Sequence, residues 1–310
     1  TRNPSVALAV PADTELPAVP AGWETVYTPF ARFHGAPEDL EVLLRLSRHA
    51  SEQLPLLASE LGVGLGETLD VYLADSHQRF RDLQPHRAPT WADGVAYPTM
   101  GLVLLRSPSI RGGQAAPLET VLRHELVHVL LGRAFAPNHP PSWLQEGLAQ
   151  VHAGELTPEV AKTLANGMAA GQLMSLNGLS RGFPEDPVRA RLAYAQSADF
   201  LGWFEETYGD EGVRTLIREL IAGTSIEGAI HAATGDFIED VDRAWRQRLV
   251  DGGLAYGALA NMDWLMGVGG IVLVIGGIAR RRRFHQRLAE MEREEAALES
   301  LLGSYLDERA

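Results

Sequence analysis

Apolar residues recur at three- and four-residue spacing through "EDLEVLLRLSRHASEQLPLLASELG" (38–62), which predicts a helix with one core-facing side and a stop at Gly62. The pattern then changes period. "ETLDVYLADS" (67–76) alternates apolar and polar positions like a half-buried strand, and "GLVLLRS" (101–107), set off by Pro98 and Gly101, reads as a second strand. Helical spacing returns in "PLETVLRHELVHVLLGRAF", which carries Pro117 near its start. After the loop "APNHPP" comes another helix, "SWLQEGLAQVHAGEL", with Ser142 as its expected cap. A glycine- and proline-containing stretch (166–187) precedes "VRARLAYAQSADFLGWFEETYG", and the remainder to 250 reads as short helices. No internal repeat is visible. Strands come first and helices dominate afterwards, so residues 23–250 are expected to form one α+β domain.

The two ends follow different rules. Residues 1–22 are rich in proline and alanine, lack an apolar run long enough for a signal peptide, and read as an extended segment. Near the other end, "WLMGVGGIVLVIGGIARRRR" holds no charge from Trp264 to Ala279, a length of about 24 Å as a helix. Extended back to Leu259, with Asn261 and Asp263 near the headgroups, it predicts a transmembrane helix over 259–279, reached through a linker at 251–258. Arg280–Arg283 act as a cytoplasmic flank, which places 280–310 inside and the large N-terminal domain in a periplasm or its equivalent. Within the span, Gly269 and Gly276 lie two helical turns apart, a smooth stripe against which a membrane-protein partner could pack. The tail "QRLAEMEREEAALESLLGSYL" reads as a helix that offers either a solvated face or a second partner contact.

Charge narrows the partners. The formal net charge is −13. From 280 to 310 seven arginines balance seven acids, so the acidic excess belongs to the outer domain. Nucleic acid is not an expected partner, because phosphate binding needs a basic patch. Cysteine is absent, which excludes disulfides and thiolate-ligated zinc.

Chemistry concentrates in "HELVH". On a helix, His124 and His128 stand one turn apart on one face and can meet a single ion, with Glu125 beside them where it could hold a water. Catalytic zinc needs a third protein ligand and an open position. The metzincin pattern would require glycine at 131 and histidine at 134, but the chain has Leu131 and Ala134. His139 in the loop, and Glu146 and His152 on the next helix, are the available donors.

The run "PLETVLRHELVHVLLG … PSWLQEGLAQ … RLAYAQSADFLGWF … GTSIEGAIHAATG" resembles the gluzincins, and among them the bacterial peptidase MA-like branch, over roughly residues 65–250. The resemblance implies a zincin-like fold: a small sheet whose edge strand, here Gly101–Leu105, lies over the active-site helix, followed by a mainly helical lower part. It implies that His124, His128 and Glu146 hold Zn2+, that Glu125 is the general base, and that Tyr194 stabilises the oxyanion. Two departures stand out. The glycine-rich acidic motif of gluzincin aminopeptidases is replaced by "GVAYPTMGLVLL", which argues against exopeptidase activity. The aspartate that follows the ligand glutamate by four residues in the thermolysin branch is here Gln150.

Two functions are therefore expected in competition. One is a membrane-anchored, zinc-dependent endopeptidase hydrolysing peptide or protein substrates outside the cytoplasm. The other is a peptidase-like structural or assembly subunit of a membrane complex, for example respiratory or photosynthetic, with little or no proteolysis.

Overall fold

The computed structural model describes residues 6–7, 14–88, 92–113 and 115–252. The predicted transmembrane helix, its glycine stripe and the cytoplasmic tail lie outside the described residues. Among the described residues no helix is long and apolar enough to cross a membrane.

Six strands form one mixed sheet: β1 (Val6–Ala7), β2 (Glu24–Tyr27), β3 (Ala31–Gly35), β4 (Leu69–Ala74), β5 (Gly94–Tyr97) and β6 (Leu102–Arg106). Their order is β1-β5-β6-β4-β3-β2. Between β3 and β4 runs the helix α1 (Leu40–Leu61), a crossover that leaves the two strands parallel. Gly62, with φ 68, ends it as the sequence predicts.

Alternation along the strands builds two cores. Phe33, Val71, Ala96, Val103 and Leu105 face α1 and α3 (Leu118–Phe135), whereas Tyr72, Val95, Leu102 and Leu104 meet Phe80 of a short helix, α2 (His77–Asp82), on the other face. Both faces of the inner strands are thus buried, so β4 and β6 read as nearly continuous apolar runs.

One expectation is overturned here. The stretch 101–105 is not the sheet edge: β6 lies between β5 and β4. Pro98–Met100 form a single tight turn, Gly101 takes φ 63, and the chain reverses there into the antiparallel β5–β6 pair. The strand packed on α3 beside its histidines is therefore β5, four residues too short to announce itself by alternation. Its outer side pairs with β1 in parallel, Val6 opposite Val95 and Ala7 opposite Ala96.

The lower part is helical: α4 (Ser142–His152), α5 (Pro158–Ala169), α6 (Leu176–Leu179), α7 (Pro187–Ile221), α8 (Ile226–Thr234) and α9 (Ile238–Asp251). Helices α5 and α6 fall beside and within the glycine- and proline-containing stretch 166–187, for which no helix is predicted, and α7 is two helical stretches that meet at Gly209 (φ 69, ψ 178), where the segment 188–209 ends in the sequence. Ser142 is the first helical residue of α4 and not its cap; Pro141 holds that position.

Two close approaches set the frame of the site. A Cβ on Gly147 of α4 would lie 2.6 Å from the Ser197 carbonyl oxygen of α7, so these helices touch backbone to backbone. The fully buried Gln196 of α7 pins the preceding loop by accepting from the Met174 amide (3.0 Å) and donating to the Met174 carbonyl (2.9 Å).

Candidate metal centre

Helix α3 is buried on nearly every side, which explains why its apolar residues outnumber a simple stripe. His124, Glu125 and His128 sit among them at 1%, 0% and 0% exposure. Burial of three such groups is costly unless each has a function or a partner.

The histidines turn their Nε2 atoms to one point, 3.1 Å apart. From α4, Glu146 brings Oε1 to 3.5 Å from His128 Nε2 and Oε2 to 3.6 Å from His124 Nε2. Among the described residues this is the group of three histidines and carboxylates that could hold a metal ion, with ligand atoms within 4.8 Å of one another. Two nitrogens held at zinc distances on a tetrahedron stand about 3.3 Å apart, and a carboxylate oxygen about as far from each. The observed separations match that shape.

Electrostatics point the same way. Burial resists charge on Glu146, but the imidazoles of His128 and His124 outweigh it and hold the carboxyl down at about 2. For His124 burial likewise opposes protonation, yet Glu146 and Glu155 raise its pKa well above the ordinary value. The carboxylates around His124 thus favour positive charge at this position. A divalent cation supplies that positive charge. The donor set, two imidazoles and one carboxylate, is of the kind catalytic zinc uses.

The other expected residues are distributed as follows. Glu125 lies against β5, where a Cβ on Gly94 would come within 2.6 Å of its Oε1. Tyr194 of α7 is half-buried, its ring 4.5 Å from that of Phe183 in an edge contact. Burial raises the pKa of its hydroxyl and the charge of Glu146 raises it further, so the hydroxyl remains protonated and able to donate. His139 is exposed, and His152 turns to Glu60, 3.2 Å away. Neither joins the ligand group.

Sequence reasoning missed two residues. Gly94 matters because a Cβ there would meet the side chains of Glu125 (2.6 Å) and Val121 (2.8 Å) on α3. Glu155, beyond the end of α4, places Oε2 3.5 Å from His124 Nδ1. Neither carries a local signal, since each depends on a contact about 30 residues away in sequence. A separate cavity of about 440 Å³, between Arg32 and Arg133, contains none of the ligand residues.

Two histidines one turn apart and a carboxylate from the following helix thus form a buried group that could hold a metal ion, with the buried Glu125 next to the first histidine. The family model of the Peptidase MA superfamily matches residues 49–251, and the chain belongs to that superfamily. Solved structures with a similar arrangement include a mutant of an M1 zinc metallopeptidase from Deinococcus radiodurans (18% identity, TM-score 0.43) and the M1 zinc metallopeptidase from the same organism (18%, 0.42). A third is a two-domain M1 zinc metallopeptidase mutant bound to L-arginine (16%, 0.39). Each match covers 72% of this chain, and the chain spans about half (51%) of each of those structures. No match was found among curated proteins.

Proposed function

We propose that the chain is a zinc-dependent endopeptidase, anchored in a membrane by residues 259–279 and acting outside the cytoplasm. The observation that carries the catalytic part is the convergence of His124 Nε2, His128 Nε2 and the Glu146 carboxylate beside the fully buried Glu125. The anchor rests on the uncharged run 264–279 and the four arginines after it. Internal cleavage is favoured over trimming because the aminopeptidase motif is replaced by "GVAYPTMGLVLL".

His124, His128 and Glu146 would hold the ion. Bound zinc supplies Lewis acidity, polarising a peptide carbonyl and making water a stronger acid. Glu125 accepts the proton of the attacking water and returns it to the departing amine. Its side chain is fully buried next to the first ligand histidine in sequence. Tyr194, kept protonated, donates a hydrogen bond to the oxygen on which negative charge develops. Gly94 leaves the room that Glu125 needs.

The test uses the full chain in mild detergent, with zinc per chain and cleavage of an unfolded protein as readouts. Glu146→Ala is expected to lose most of the zinc. Glu125→Gln is expected to keep it while cleavage falls about 10²- to 10⁴-fold, the usual loss for a general base. A wild type that binds zinc and cleaves no unfolded protein would leave the assembly-subunit reading in its place.

A further inference from the structure

Gln150 stands where the resembled pattern has an aspartate that supports a ligand histidine. Its side chain does not turn to the histidines; the amide donates to the Tyr194 carbonyl at 3.3 Å and to the Glu146 carbonyl at 3.4 Å. That leaves His124 Nδ1, buried within a side chain only 2% exposed, in need of another partner.

The chain supplies one by how α4 ends. After His152 the Ala153 amide still bonds to Ala149, and Gly154 then takes φ 72, a left-handed conformation that glycine adopts without strain. The Glu155 amide closes the turn on the Gln150 carbonyl at 2.8 Å. This reversal sends the Glu155 side chain back toward α3, where its Oε2 faces His124 Nδ1 at 3.5 Å. His128 has no equivalent, and its Nδ1 finds no hydrogen-bond partner among the described residues.

An imidazole that ligates through Nε2 must carry its proton on Nδ1, and an acceptor there fixes both tautomer and ring orientation. We infer that Glu155 is the positioning residue for His124, the carboxylate that takes over the role left open at Gln150. The present separation is that of an ion pair. The inference rests on the zinc reading above. It adds that the support comes from a turn outside the helix, so the spacing from Glu146 is nine residues and not four.

Zinc affinity of the full chain, measured in mild detergent by competition with a chromophoric chelator, tests it without recourse to activity. Glu155→Ala is expected to weaken zinc binding about 10- to 100-fold. Glu155→Gln, which keeps an acceptor oxygen at the same reach, is expected to fall between that variant and the wild type. Glu155 is also an ion-pair partner of His124 in the metal-free protein, so the melting temperature of each variant is recorded and zinc affinity is compared at a temperature where all three are folded. The inference is overturned if Glu155→Ala binds zinc within about twofold of the wild type. It is overturned equally if Glu155→Gln recovers none of the affinity lost in Glu155→Ala. A wild type that binds no zinc removes the functional reading and this inference together; an intact wild type with an indifferent Glu155→Ala removes the inference alone.

Discussion

Gly94 of β5 and Glu125 of α3 stand so close that a Cβ at position 94 would lie 2.6 Å from Glu125 Oε1 and 3.0 Å from its Cγ. The neighbour that must yield is mostly the end of a side chain and not backbone. Gly94→Ala should therefore fold and bind zinc, yet push the Glu125 carboxylate aside. A misplacement of about 1 Å costs on the order of 10² in rate. The expected outcome is kcat/KM lower by about that factor with zinc per chain unchanged; normal activity would show that Glu125 is not held where the geometry places it.

At Gly147 the neighbour cannot yield. A methyl group there would meet the Ser197 carbonyl oxygen at 2.6 Å and the carbonyl carbon at 2.9 Å, both main chain of α7. Gly147→Ala must separate the two helices, at a cost of about 1–3 kcal/mol by the usual measure of overpacking. Thermal unfolding should show a midpoint lower by several degrees. Since Glu146 rides on the same helix, zinc occupancy should fall in parallel.

Tyr194→Phe removes one hydroxyl and little else. If that hydroxyl faces the developing oxyanion, kcat drops about 10²- to 10³-fold while KM and bound zinc stay close to wild type. Unchanged kcat would reduce Tyr194 to its edge contact with Phe183.

Across the sheet, Asp70 of β4 accepts from Arg32 at 2.5 Å and meets His34 Nε2 at 3.0 Å, both on the adjoining strand β3. Burial alone would raise the Asp70 pKa, but His34 and Arg32 outweigh it and hold it below the ordinary 3.8. A depressed carboxylate stabilises the fold fully above its unfolded pKa and loses that contribution as pH falls through the folded value. Asp70→Asn is expected to cost about 2 kcal/mol at neutral pH, in the range of hydrogen bonds to buried charged groups. The difference from wild type should shrink below about pH 4. Urea unfolding of both proteins at pH 7 and pH 3.5 measures it.

What was legible in the sequence follows from how local each feature is. His124, Glu125 and His128 lie within one helical turn, and the helix that presents them announces its own period. Glu146 is one of three donors that spacing leaves open, with His139 and His152, and it is the resemblance to the gluzincins that singles it out. The sheet was harder. Residues 31–35 do alternate, Ala31 and Phe33 against Arg32 and His34, but the run is only five residues long and His34 meets a buried carboxylate instead of solvent. Residues 94–97 are too few to show a period, so the edge was assigned to the longer run at 101–105. The helices α5 and α6 hid in a region whose glycines suggested loop, although Gly167 packs against Leu192 and serves contact, not a turn. Glu155 escaped because its place depends on the left-handed Gly154, and sequence spacing counted along a helix does not extend around such a turn.

The pairing of Val6 and Ala7 with Val95 and Ala96 has a bearing on how a peptide reaches the strand beside the metal centre. On the proposed endopeptidase reading, an extended peptide that adds to the outer side of β5 meets a competitor belonging to the same molecule, β1. Such a tethered rival is not diluted away, so its hold on the edge is a constant of the molecule. The affinity seen by an incoming peptide is lowered by the fraction of time the edge is covered. A contact of two residue pairs is easily outbid by a longer stretch, which offers more backbone hydrogen bonds in register. On the proposed endopeptidase reading, longer unfolded segments would therefore be favoured over short fragments at this strand.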